Sequence, residues 1–295
     1  MRVPVPLYQS FPMAPRARGQ VWAYAADFRR PRHFHAEPEL NLVVAGTASF
    51  GLGDRRVSVG AGELLSFLPG QDHVLLDASS DVELFAIAVT PALSTEVLGE
   101  SEDLAAAAPF SVRLPPREHR ALLRGITEAA TLSEATQSVA EVWQMAHWLR
   151  KGAAQCNPSS RHVLTRQSLA AIRRTPALGR AALARASRGC ASEISRHFHR
   201  DLGLTLLSYR TRLRLLRSVE LVDQHGASLT AAAFEVGFGS YSQFHRAFQA
   251  NMGCSPSRFF STGLRQQMES AFEPFPNWVG SGADGEPPAR GSTEG

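Results

Sequence analysis

Two groups of residues in this sequence have the types and spacing to do chemistry. The first is a polar helix face that occurs twice. Residues 192–205 read SEISRHFHRDLGLT and residues 242–255 read SQFHRAFQANMGCS. At a constant offset of 50, Ser192 matches Ser242, Ile194 matches Phe244 and Arg196 matches Arg246. Phe198 then matches Phe248, and Gly203 matches Gly253. An offset held over five positions means one supersecondary unit used twice. Ile194, Phe198 and Leu202 fall at i, i+4, i+8, as do Phe244, Phe248 and Met252, so each copy has one stripe to bury. The opposite face carries Ser192, Ser195, Arg196 and His199 in the first copy, and Ser242, His245, Arg246 and Gln249 in the second. These side chains are short or fork-shaped, donate hydrogen bonds and bear no negative charge, which is what a helix entering a major groove needs. The competing reading gives Arg196 and Arg246 to structural ion pairs with an acid such as Glu193 or Asp201. The second group is His33, His35 and Glu39, which alternation along a strand would place on one face, as a metal site requires.

The elements that must position these groups are legible in outline. Leu178–Ser187 reads as a short helix before the first copy, and Ser228–Val236 as one before the second. Gly237-Phe238 then supplies a left-handed turn and an apolar plug. Two helices and a tight turn, twice, is the helix-turn-helix plan. Ser240 with Gln243 forms a capping box for the second copy. Thr205–Gln224 reads as one long helix with Leu206, Leu213, Leu216 and Val219 apolar and Arg210, Arg212, Arg214 and Arg217 polar. Such a spacer would hold the two units for successive major grooves, about 34 Å apart.

Upstream, Val21–Phe28, Leu40–Ala45, Ala48–Leu52, Arg55–Val59, Leu64–Leu68, His73–Leu76 and Val82–Val89 read as short strands. Gly53-Asp54 and Pro69-Gly70 punctuate them as turns. Even spacing of short strands indicates an antiparallel barrel or sandwich. Pro115 to Ala153 reads as helical, with Leu122, Ile126, Val139, Val142, Met145, Ala146 and Leu149 at helical spacing. Residues 157–160 read as a linker, and the Pro- and Gly-rich tail after 264 as disordered.

Charge divides the chain in the same way. Residues 1–160 carry a net −3, residues 161–265 carry +11, and residues 266–295 carry −4. A basic segment of this length suggests a polyanion as partner, the alternative being a solvated charged surface. No uninterrupted apolar stretch approaches the ~18 residues of a membrane span, so no membrane partner is expected. Met1–Pro15 has no apolar run and reads as lacking a secretory signal. Cys156, Cys190 and Cys254 are odd in number and far apart, and read as free thiols in a reducing cytoplasm.

The stretch LTAAAFEVGFGSYSQFHRAFQANMGCSPSRFF (229–260) strongly resembles the second helix-turn-helix of AraC/XylS-type regulators. Ala233, Gly237, Phe238, Ser242, Phe244, Arg246, Phe248, Gly253 and Pro256 all fit that pattern. The resemblance implies base contacts from Ser192, Ser195 and Arg196, then from Tyr241, Ser242, His245 and Arg246; His199 shares their face. The first unit departs from the pattern. Arg188 stands at the usual turn glycine, Gly189 at the apolar plug and Cys190 at the N-cap serine. His33-Phe34-His35, Glu39, Gly46, Pro69-Gly70 and His73 resemble the two cupin motifs. In cupin enzymes the positions matching His33, His35, Glu39 and His73 coordinate a divalent metal. Many regulators of the family above instead keep these residues as a polar pocket or a folding device without metal. Both uses stay open here, and Trp22, Tyr24, Phe50 and Phe67 are further candidates for a pocket lining.

These resemblances imply an α+β chain of two domains. An N-terminal antiparallel cupin-like β-barrel with a helical segment precedes a C-terminal all-α double helix-turn-helix. The expected limits are an effector-binding domain at 1–112, a helical dimerisation segment and linker at 113–160, a DNA-binding domain at 161–264 and a tail at 265–295. The implied function is an effector-responsive transcription regulator and not an enzyme, with no cofactor assigned. Its partners would be double-stranded DNA, a small-molecule effector, a second copy of the chain and RNA polymerase. The alternative is a cupin metalloenzyme fused to a DNA-binding tail.

Overall fold

A computed structural model describes residues 7–11, 13, 16–24, 30–99, 111–131, 136–156 and 162–261. The linker at 157–160 and the tail after 264 lie outside the described residues, as does the end of the first strand reading at Phe28. Eight strands and ten helices are described. The strands are β1 (Gly19–Tyr24), β2 (Glu39–Ala45), β3 (Thr47–Leu52), β4 (Arg55–Gly60), β5 (Glu63–Phe67), β6 (His73–Ala78), β7 (Glu83–Val89) and β8 (Ser111–Arg113). Helix α1 (Pro91–Leu98) lies between β7 and β8, and α2 (Pro116–Thr131) and α3 (Thr136–Cys156) follow. The rest is α4 (Val163–Arg174), α5 (Arg180–Ala186), α6 (Ala191–Leu202), α7 (Leu206–His225), α8 (Leu229–Glu235), α9 (Tyr241–Met252) and α10 (Pro256–Phe260).

The strands form two antiparallel sheets, in the orders β1-β7-β2-β5-β8 and β4-β3-β6. The cupin-like barrel is therefore open: its ladders do not run unbroken from one sheet to the other. The sheets share an interior, where Val43, Leu65, Phe67 and Leu84 of the larger meet Phe50 and Leu75 of the smaller. Alternation sorts β2 between two environments. Leu40 and Leu42 pack outward against α1, α2 and α3, together with Leu64, Ile87 and Val89. Trp143 of α3 is fully buried in that outer core, whereas Trp148 on the same helix is 70% exposed. The helical segment thus covers the larger sheet and still leaves one aromatic face outward. Sequence periodicity missed α1 and β8. Both are short, and α1 starts where Pro91 follows a Thr90 side chain that accepts the Leu93 N–H.

In the C-terminal half, serine and threonine hydroxyls cap α7, α8, α9 and α10 at Thr205, Ser228, Ser240 and Ser255. Gly203 and Gly253 close α6 and α9 in the left-handed conformation. Arginines of α7 that read as a polar face do internal work. Arg210 donates to the Leu178 carbonyl at 2.9 Å, and Arg214 to those of Pro176 and Ala177 at 2.9 and 3.1 Å. Burial pulls Arg214 down to about 10, helped by neighbouring Arg210.

The two halves are packed on each other. Leu169, Ile172, Phe198, Leu202, Tyr209 and Leu213 belong to the same apolar cluster as the sheet interior. The β3–β4 turn lies against the end of α6, where the Asp54 N–H donates to the Gly203 carbonyl at 2.8 Å. A Cβ on Gly53 would come within 2.0 Å of that same carbonyl oxygen, so only glycine lets the two backbones approach.

Candidate nucleic-acid interface and histidine cluster

Helices α6 and α9 are each twelve residues long and bury the stripes read from sequence: Ile194, Phe198 and Leu202, and Phe244, Phe248 and Met252. On the outer side Ser192, Ser195, Arg196 and His199 of α6 are exposed, as are Ser242 and Arg246 of α9; Tyr241 and His245 are half-buried. Among the described residues neither Arg196 nor Arg246 forms an ion pair. Of the two acids considered, Asp201 is engaged elsewhere. Asp201 turns inward, where its carboxylate accepts from the Thr165 hydroxyl and the His162 N–H, both at 2.8 Å, and from Arg200 at 3.1 Å. Burial pushes the Asp201 carboxyl up, but these donors outweigh it and hold it below its usual range. Glu193, at the start of α6, is also lowered, chiefly by hydrogen bonding from Cys190 and to a lesser extent by the charge of Arg196, with which it forms no ion pair at contact distance.

The two units are not identical. The Ser240 side chain accepts from the Gln243 N–H at 3.2 Å, and Gln243 reaches back to the Gly239 N–H at 3.2 Å. Cys190 makes no such cap to its helix backbone. The turn before α6 has two residues between Ser187 and Cys190, and the turn before α9 has three between Val236 and Ser240. Phe238 plugs the second turn against Phe244, with ring centres 5.5 Å apart. In the first, a Cβ on Gly189 would meet Leu164 at 2.6 Å, so a leucine of α4 fills the place of the missing plug. His199 differs from the other face residues: its Nε2 lies 3.0 Å from the Asp54 carboxylate of the β3–β4 turn.

The second site lies inside the N-terminal domain. His33, His35, Glu39 and His73 are all buried. Antiparallel backbone bonds join His33 to His73 in both directions, at 3.1 and 2.9 Å, which brings together residues forty positions apart. Potential ligand atoms of the three histidines lie within 4.8 Å of one another. Each Nδ1 is within reach of a backbone carbonyl: His33 with Pro31 at 2.8 Å, His35 with Glu37 at 2.8 Å and His73 with Gln71 at 3.1 Å. A carbonyl only accepts, so each Nδ1 carries the proton and a neutral ring leaves Nε2 as a lone pair. Burial lowers the pKa of both His33 and His73, the Glu39 carboxylate opposing it at His73. Glu39 Oε2 sits 3.0 Å from His35 Nε2 and 3.5 Å from His73 Nε2, while Asn41 donates to Oε1 at 2.6 Å. Burial pushes the Glu39 carboxyl up, but its histidine partners override this and leave it well below the usual carboxylate range. Two imidazole Nε2 atoms thus face an anionic oxygen, an arrangement completed by a proton or a cation between them.

Of the further lining candidates, Phe67 stacks on the His73 ring at 4.2 Å. Phe50 backs Phe67, Trp22 packs on Phe11, and Tyr24 borders the shared core. Sequence reading missed Phe11, whose ring meets His35 edge-on at 5.1 Å, because nothing local marks it.

Comparison with known proteins matches a family model to each half of the chain. Residues 20–150 match the model of an AraC-like ligand binding domain, and residues 183–262 match that of a helix-turn-helix domain. The chain is similar to the structure of ToxT from Vibrio cholerae, at 12% identity over 82% of this chain and 97% of that one, with a TM-score of 0.43. It is also similar to the C-terminal domain of AraT, a response regulator from Geobacillus stearothermophilus, at 22% identity over 34% of this chain and 86% of that one, with a TM-score of 0.32. A cupin protein from Bacteroides fragilis aligns at 19% identity over 25% of this chain and 64% of that one, with a TM-score of 0.22. No match is found among curated protein sequences.

Proposed function

The chain belongs to the AraC-type family of ligand-regulated, DNA-binding transcription regulators, and from that premise we propose that α6 and α9 are its two recognition helices. The observation that carries this reading is the pairing of two equal helices with the same buried stripe and, at the same position, an exposed arginine that forms no ion pair among the described residues. Ser192, Ser195, Arg196 and His199 then face one major groove, and Tyr241, Ser242, His245 and Arg246 the next. α9 is the better-formed reader, because its turn and cap are complete. His199 meets DNA only after it leaves Asp54. The test is genome-wide mapping of bound sites followed by footprinting with Arg196→Ala and Arg246→Ala. Loss of protection in the groove assigned to each helix supports the reading; parental footprints from both variants overturn it.

The effector-binding residues in this reading are His33, His35, Glu39 and His73. Their ligand class is a divalent transition-metal cation, and the observation favouring it is the backbone frame that fixes all three Nδ1 protons. Three imidazole nitrogens and one carboxylate fit such an ion. A bound cation would supply a Lewis-acidic centre, either as the effector itself or as an anchor for an anionic one. The protein acts as a regulator and not as an enzyme, since both matched domains are regulatory. We divide it into an effector-binding domain at 1–112, a helical segment at 113–160 that also carries dimerisation, and a DNA-binding domain at 161–264. Exposed Trp148 and Met145, flanked by Glu141 and Lys151 on α3, support a self-complementary contact between two copies. No described helix is long and apolar enough to cross a membrane. RNA polymerase and a cytoplasmic setting complete the proposal as what a transcription regulator works with.

A further inference from the structure

One arginine of the DNA-binding half holds both chain segments that carry the histidines. Arg212 of α7 donates to the Asp72 carboxylate and to the Gly70 carbonyl. Its guanidinium carbon also lies 4.9 Å from the ring centre of Phe34. Phe34 stands between His33 and His35, and Asp72 immediately precedes His73. The two segments are tied to each other by the His33–His73 backbone pair and by the Gly70 N–H, which donates to the His35 carbonyl at 2.9 Å. Arg32 adds a second grip on Asp72 at 2.9 Å and bonds the Gly53 carbonyl of the interdomain turn at 2.8 Å. The Asp72 and Arg212 side chains are only 8% and 9% exposed, so solvent screens the pair little. Gln71 continues the contact by donating to the Leu202 carbonyl at the end of α6, at 3.3 Å.

We propose that the grip of Arg212 on Phe34 and Asp72 couples occupancy of the histidine cluster to the placement of the DNA-binding half. The proposal rests on reading the cluster as a cation site. Any change in spacing between the segments at 33–35 and 70–73 moves Phe34 against Asp72. Arg212 touches both residues and cannot keep both contacts unchanged. Densely packed neighbours leave no slack to absorb the shift locally. Linkage makes the coupling reciprocal: altering the grip must alter cation affinity.

The experiment is calorimetric titration of the metal-free full chain with Zn(II) and with Mn(II). It compares the parent, His35→Ala, Arg212→Lys and Arg212→Gln. Arg212→Lys keeps the charge and loses the forked contact and the ring stacking. Amide hydrogen exchange over 206–216, with and without cation, gives a second readout. The parent should bind one ion, His35→Ala should lose it, and Arg212→Lys should shift the affinity by about fivefold or more. Exchange in 206–216 should change on ion binding in the parent and not in His35→Ala. An Arg212→Lys affinity within about twofold of the parent overturns the coupling while leaving the cation reading in place. The same holds if only Arg212→Gln differs, since that effect is charge alone. If neither ion binds the parent, the cation reading falls and the coupling with it.

Discussion

Arg188 and Gly237 hold the same place in the two turns, each directly after the helix's C-cap residue, and both have positive φ, 49° and 87°. Glycine reaches that conformation freely, whereas any other L-residue is strained there by about 1–2 kcal/mol. Arg188 is exposed, so the strain is not offset by packing. Arg188→Gly should therefore stabilise the first unit by about 0.5–1 kcal/mol, after the entropy cost of a glycine in the unfolded chain. Gly237→Ala should cost about 1–2 kcal/mol, since its Cβ also meets Ala177 at 3.0 Å. Urea unfolding followed by helical circular dichroism checks both. Opposite signs are required; destabilisation by Arg188→Gly would mean that the Arg188 side chain is held by a contact.

Arg246→Ala should lower specific operator affinity by about 1–3 kcal/mol and relax base preference in one groove. Its thermal unfolding should be unchanged, because the side chain is exposed and makes no ion pair among the described residues. Fluorescence anisotropy on a mapped operator and on the same duplex with that groove mutated gives the comparison. Equal losses on both duplexes would point to a phosphate contact instead.

Asp201 ties α6 to α4 through Thr165 and His162. Its folded pKa lies below the unfolded one, so its contribution is present above the unfolded value and is lost as pH falls through the folded value. At neutral pH Asp201→Asn should cost about 1–3 kcal/mol, because an amide cannot accept from all these donors at once. The gap between parent and variant should close as pH drops below the ordinary aspartate range near 3.9. A gap independent of pH, in denaturant titrations across that range, would assign the loss to shape and not to charge.

Trp148→Glu should weaken self-association while leaving each chain folded. A central aromatic of such a contact carries about 2 kcal/mol or more, which is roughly a thirtyfold rise in the dissociation constant. Sedimentation equilibrium measures it. An unchanged association state would move the contact between copies away from this face of α3.

The sequence by itself determined the elements whose order depends on neighbours along the chain. The stripes of Ile194, Phe198 and Leu202 and of Phe244, Phe248 and Met252 are buried as their helical spacing demands. The alternation of β2, with Glu39 and Asn41 on one side and Leu40 and Leu42 on the other, holds as well. Both are local patterns, because 3.6- and 2-residue periods repeat within a few positions. Even the strained turn was legible, from an arginine standing where glycine is usual. Tertiary structure alone decided that Leu164 plugs the first turn, that Asp201 is spent inside, and that Arg212 leaves the polar face of α7 to meet Asp72. Arg212 and Asp72 are 140 residues apart. No periodicity spans that distance, and which buried charge finds which partner is settled only when two cores close on each other and each must satisfy what it has taken out of water.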